Sequence, residues 1–140
     1  MESFARLYVG MSYTLQKKIT IDDTALNYGS GKVQELFATP RLIAFMIEAS
    51  AQLIDPTLPD GFVSVGNQVS VDHFKPTLQG ATVTIEVKIT GFEEGRYIFE
   101  MIAYDEFGQI GNGRHARSIV NYSSLLDKAH ARQYGNYMAG

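Results

Sequence analysis

Glu48 is the residue in this chain whose placement most demands a reason. It lies in the run 40–54 (PRLIAFMIEASAQLI), between Ile47 and Ala49, with Ala44, Phe45, Ala51 and Gln52 at three- and four-residue spacings. An ionised carboxylate buried without a partner costs several kcal/mol. Either Glu48 marks a narrow solvent-facing stripe with Ser50 and Gln52, or it is held in a dry pocket with a raised pKa suited to a base or nucleophile. His73 closes a run whose odd positions are Val63, Val65, Asn67, Val69 and Val71. Parity places it on the apolar face of a strand, the face that packs on the Glu48 helix. It is then a satisfied core histidine or one half of a Glu–His pair across a helix–sheet contact. Thr39, just before Pro40, reads as a helix N-cap, and it also stands where free backbone N–H groups can hold a developing oxyanion. If 39–48 is all helix, Thr39 and Glu48 lie about 13 Å apart along its axis. Their cooperation would require unwinding, a bridging substrate or a second subunit.

Glycine and arginine supply the remaining candidates. Gly66 falls in mid-strand, where the absence of a side chain points to a bulge or to close approach by a ligand. The segment 111–117 (GNGRHAR) puts two glycines at a spacing that suits tight backbone packing, followed by Arg114, His115 and Arg117. Those arginines either solvate a sheet edge or meet the phosphates of a nucleotide-bearing substrate. The sequence contains no phosphate-binding glycine loop, dinucleotide fingerprint, HExxH or G-x-S-x-G elbow. With no cysteine and three scattered histidines, no metal site is expected.

The elements that must position these groups follow from hydrophobic period. Alternation of period two marks strands at 9–19, 63–73, 81–91, 96–105 and 110–122, and 92–95 is a plausible hairpin turn. The run 40–54 is apolar around its whole circumference, so it predicts a helix buried on nearly all sides, ended by Asp55-Pro56. A last exposed helix is expected over 125–134. A strand, a buried helix and four strands in mostly meander order are satisfied together by an antiparallel sheet of about five strands wrapped around one central helix, an α+β hot-dog architecture. A sheet of that kind leaves an edge or face for a partner, so a homodimer or higher homo-oligomer is expected. The 140 residues, 45% hydrophobic, suit a single domain over 1–140. A net charge of -3 argues against nucleic acid and anionic membranes as partners. With no leader-like pattern in 1–6 and no long apolar span, a cytoplasmic location is expected.

Several of these segments, taken in order, resemble the fluoroacetyl-CoA-type thioesterase family of hot-dog proteins. They are Ser30-Gly31, Phe37-Ala38-Thr39-Pro40 and Glu48-Ala49-Ser50, then 65–77 (VGNQVSVDHFKPT), and Gly113 through Arg117 followed by Ile119-Val120. The similarity spans roughly residues 10–123. It implies a dimeric acyl-CoA thioesterase with interface sites, needing no cofactor beyond the coenzyme A of its substrate. On the matching positions it implies Thr39, Glu48 and His73 as the catalytic set and Gly66 against the acyl or thioester group. Glu48 would activate water or attack the carbonyl, His73 would handle protons, and Arg114 or Arg117 would meet CoA phosphates. Two departures, Arg114 between glycine and histidine and Ser50 where a second alanine is common, bear on substrate identity rather than reaction type. The competing expectation is a non-catalytic module that binds acyl-CoA or another hydrophobic ligand.

Overall fold

A computed structural model describes residues 6–135; all but the last residue of the leader reading of 1–6, and the far end of the 1–140 domain, lie outside the described residues. The chain runs β1 (Ser12–Lys18), α1 (Thr39–Ile54), β2 (Phe62–His73), β3 (Thr82–Glu93), β4 (Arg96–Asp105), β5 (Gly108–Asn121) and α2 (Tyr122–His130). The strands form one antiparallel sheet in the order β1-β3-β4-β5-β2. Consecutive hairpins join β3, β4 and β5, and β1 and β2 close the two edges. The turn between β3 and β4 is Glu94-Gly95, both with positive φ (54° and 78°), which matches the twist of the strands it joins.

Alternation dictates the core. Val83, Ile85, Val87 and Ile89 of β3 and Tyr97, Phe99, Met101 and Ala103 of β4 point to one face, where Leu42, Phe45, Met46, Ala49 and Leu53 of α1 cover them. The helix is therefore buried on its sheet-facing side. Ile43, Ala44, Ile47, Glu48 and Ala51 are only half-buried. The expectation of burial on nearly all sides is corrected accordingly: five strands cover one side of the helix within a single chain.

Two local features position the strand that carries His73. The first is a bulge at Asn67, where the β2–β5 register shifts between Gly66 and Gln68. A one-residue insertion reverses which side chains face the helix. Ser64, opposite Ile119, is therefore buried, and Val63 and Val65 lie on the other face from Val69, Val71 and His73. The continuous odd-position parity expected over 63–73 is thus broken in its middle. The second feature is the pair Gly111 and Gly113. A methyl at Gly113 would stand 2.6 Å from the Ser70 carbonyl and 2.9 Å from Val71. At Gly111 it would meet the Asp72 carbonyl at 2.7 Å and Leu42 at 3.2 Å. The two glycines let β2 close on β5, and Gly111 lies opposite His73 in the register.

Gly113→Ala must push backbone, not a flexible side chain. It is expected to cost about 1–3 kcal/mol, read by calorimetry as a melting temperature lower by roughly 3–10 °C; an unchanged transition would contradict this packing.

Candidate active site

The N-terminal turn of α1 meets the end of β2 at one open cleft of about 670 Å³. Its walls include Tyr28, Val33, Leu36 and Phe74, and Thr39 and His73 stand in it together. The helix begins one residue earlier than a threonine cap would require. Ala38 is the N-cap, with extended backbone and no side-chain acceptor, so Thr39 and Pro40 are the first helical residues. That corrects the N-cap reading of Thr39 and frees its hydroxyl. Thr39 Oγ1 instead lies 2.7 Å from His73 Nδ1.

The ring of His73 is held by neighbours rather than by a carboxylate. Phe37 meets it edge-on at 5.9 Å between centroids and stacks in turn on Phe45 at 5.5 Å. Burial pushes the imidazole below its ordinary value, and the backbone of Lys75 offsets only part of that. The ring is therefore neutral near pH 7. Its Nε2 is buried and meets no hydrogen-bond partner of good geometry among the described residues.

A carboxylate does organise this corner, but it is Asp23. Its Oδ1 accepts from Arg41 Nε (3.0 Å) and Nη2 (2.8 Å), and its Oδ2 accepts from the Thr20 amide (2.8 Å) and hydroxyl (3.0 Å). Burial would raise this carboxyl; the Thr20 amide, Arg41 and the Thr20 hydroxyl together outweigh it and hold the group below its usual range. The Asp23 carbonyl also accepts from the Ala38 amide at 2.9 Å, which pins the residue before Thr39. Sequence reasoning missed Asp23, although the Thr20–Asp23 spacing and the first-turn cation at Arg41 were both visible.

Glu48 is not in the cleft. Its carboxylate is 3.3 Å from Lys17 Nζ, with 41% of the side chain exposed. The expected dry pocket and Glu48–His73 pair are therefore corrected for the single chain. Helix geometry gives the reason. Nine residues beyond Thr39 is a rotation of about 180° from it, so Glu48 occupies the opposite side of α1. Lys17 lies on β1, at the sheet edge farthest from β2. The helix residue beside Gly66 is Ile47, and together with Asn67, Gln68, Val69 and His115 these two line a separate pocket of about 390 Å³.

Gly66 flanks the bulge in β2, the first of its two expected readings, and neither arginine stands in the cleft. A methyl on Gly66 would come within 2.8 Å of His115 Cε1 and 3.3 Å of Arg117 Nη1, so the close approach at this glycine is by protein side chains. Arg117 is only 6% exposed. Its Nε donates to Ser64 Oγ (2.9 Å), its Nη2 to the Ser64 carbonyl (2.8 Å), and its Nη1 lies 3.2 Å from His115 Nε2. That network corrects the expectation that Arg117 solvates an edge or meets phosphates. His115 donates from Nδ1 to the Gln68 carbonyl at 2.7 Å, which leaves Nε2 to accept from Arg117. Burial first, and Arg117 second, push His115 below its ordinary value against the pull of the Gln68 carbonyl. Arg114 is exposed and lies in register between Ser70 and Glu100, outside the cleft.

Known proteins resemble this chain in sequence and fold. The model of the fluoroacetyl-CoA-specific thioesterase family matches residues 19–123. The chain belongs to that family. A fluoroacetyl-CoA thioesterase from Streptantibioticus cattleyicolor is 31% identical over 98 residues, 70% of this chain and 68% of that one. A hot-dog-like protein from Thermanaerovibrio acidaminovorans superposes with a TM-score of 0.81 at 29% identity, covering 90% of this chain and 92% of that chain. A fluoroacetyl-CoA thioesterase structure gives 0.82 at 26% identity, covering 91% and 97%. The fold is the hot-dog fold, and the family is one of thioester hydrolases. No helix among the described residues is long and apolar enough to cross a membrane.

The half-buried His73 and the buried His115 both have folded values below the ordinary value of about 6.5. Between the depressed value and 6.5 the unfolded chain binds more protons, so this contribution is complete above about pH 6.5 and is lost as pH falls. The melting temperature should drop from about pH 7.5 to 5.5, and His115→Gln should remove part of the slope even if it lowers stability overall. An unchanged slope would argue against a neutral His115.

Proposed function

We propose that this chain hydrolyses acyl-CoA thioesters in the cleft at the start of α1, with Thr39 and His73 as its reacting pair. The observation that carries the proposal is the 2.7 Å contact between Thr39 Oγ1 and His73 Nδ1 in an open cleft. A neutral imidazole with its Nδ1 lone pair toward the hydroxyl can take the threonine proton as the oxygen attacks the thioester carbonyl. The new C–O bond gives a tetrahedral oxyanion, stabilised by the positive end of α1, whose cap supplies no side-chain acceptor of its own. When the C–S bond breaks, the proton on Nδ1 passes to the departing sulfur. Water then repeats the cycle on the acyl-threonine, with His73 again accepting and returning one proton. The apolar walls favour an acyl group without charge, and the fluoroacetyl group named for the relatives is one small candidate.

The exposed edge of β2 supports the expected second copy. β2 ends the sheet order, so among the described residues one edge of Phe62–His73 has no strand beside it. An uncovered edge of this length is a pairing site, and we propose that a second copy pairs there in a homodimer. Sedimentation equilibrium should read twice the chain mass; a monomer at micromolar concentration would overturn this part alone.

Removing a positioned base or its partner typically forfeits about 10²–10⁴ in rate. Thr39→Ala and His73→Ala are each expected to lower kcat/KM on acyl-CoA at least ~100-fold, with Thr39→Ser keeping activity within about tenfold. Glu48→Gln removes only a half-exposed ion pair worth ~1 kcal/mol or less, so its kcat/KM should stay within about threefold. A loss of ~100-fold or more in Glu48→Gln would show that this carboxylate does enter the reaction. Stabilisation by acyl-CoA without turnover in the unmodified protein would instead favour the binding module.

A further inference from the structure

The cleft does not end at His73. Two residues further along the chain, Lys75 and Pro76 form its rim and are shared with a second groove of about 390 Å³. That groove is walled by Asp105, Phe107, Gln109 and Ile110 at the turn between β4 and β5. Phe107 is 93% exposed, the most exposed of the large apolar side chains among the described residues. A lone exposed apolar residue is ordinary by itself; here the turn that carries it is fixed and borders a groove. The Phe107 amide donates to Asp105 Oδ1 (2.8 Å), Thr77 Oγ1 donates to Asp105 Oδ2 (2.8 Å), and the Thr82 amide donates to Glu106 Oε1 (2.9 Å). Those bonds hold a flat aromatic face out at the mouth of the groove. They also turn both nearby carboxylates toward backbone and hydroxyl donors. Lys75, which makes no ion pair among the described residues, is left as the cation of the passage.

We propose that this groove receives the nucleotide end of the CoA substrate, its purine stacked on Phe107 and its phosphates on Lys75. Every base has a π-face that stacks on an aromatic side chain, and an ammonium on a flexible stem suits phosphate as a point charge. The pantetheine arm then runs from Lys75 along the shared rim to the thioester at Thr39 and His73. The inference deepens the acyl-CoA reading and rests on it. It also assigns the phosphate contact to Lys75, in place of the buried Arg117 and the outward Arg114.

The test compares one acyl group carried on CoA and on pantetheine, which lacks the nucleotide, in the unmodified protein and in Phe107→Ala, Phe107→Trp and Lys75→Ala. A stacked base is commonly worth at least ~fivefold in affinity. Phe107→Ala and Lys75→Ala should raise KM for the acyl-CoA at least ~fivefold with kcat nearly unchanged, while KM for the acyl-pantetheine moves less than about twofold. Phe107→Trp should keep the acyl-CoA value. Equal shifts on both substrates, or none on either, would overturn the nucleotide site. If the unmodified protein cleaves neither substrate, the hydrolase reading fails separately, and calorimetric titration of CoA itself decides this one. Weaker CoA binding in Phe107→Ala, restored in Phe107→Trp, would uphold the site; equal binding in all variants, or none in any, would remove it.

Discussion

The contact between the Thr39 hydroxyl and the His73 ring depends on two elements far apart in sequence arriving at one point, and much of the fold bears on that meeting. α1 must be capped at Ala38, not at Thr39, or the hydroxyl would be occupied in capping. The Asp23–Arg41 pair and the Asp23 carbonyl fix that start. On the other side, Gly111 and Gly113 admit β2 closely enough to β5 that His73 can reach the helix. Phe37 and Phe45 then set the ring's tilt. None of these groups is unusual alone; their convergence gives a neutral imidazole whose Nε2 has been withdrawn from water.

A second polar system stands apart from the first. Asp55, Ser64, Arg117, His115 and the Gln68 carbonyl form a chain of hydrogen bonds from the end of α1 across β5 to the bulge in β2. Arg117 is pushed below its ordinary value by burial, with Asp55 countering in part. Breaking a buried charged network is costly, because each remaining member stays desolvated and unpaired. The network thus ties the shape of the exposed edge to the integrity of the core. Its place beneath β2 explains why a histidine and an arginine stand where a strand facing a helix would otherwise carry aliphatic residues.

Much of this could be read before any coordinates. The apolar run 40–54 and the alternation at 81–91 match the helix α1 and the strand β3 of the structure, because one dominant period governed each. The glycines at 111 and 113 were legible for the same reason, since only close backbone contact explains two in one strand. Thr39 and His73 were legible by type and position. Glu48 misled because an acidic residue in an apolar run is equally compatible with opposite sides of a helix, and only the rotation from Thr39 separates them. Arg117 misled because burial of a guanidinium depends on partners, Ser64 and His115, that sequence spacing does not bring together. Asp23 was not legible because its partners, Thr20 and Arg41, come together only through the fold.

The extra residue at Asn67 acts as a phase shifter for the strand it interrupts. Residues on its two sides obey opposite rules: even numbers look inward before it, odd numbers after it. Deleting that single position would leave composition and length almost untouched, yet it would turn everything downstream over and point the imidazole of His73 away from α1. The count of residues between Gly66 and His73 is in that sense as much a determinant of chemistry as the identity of either.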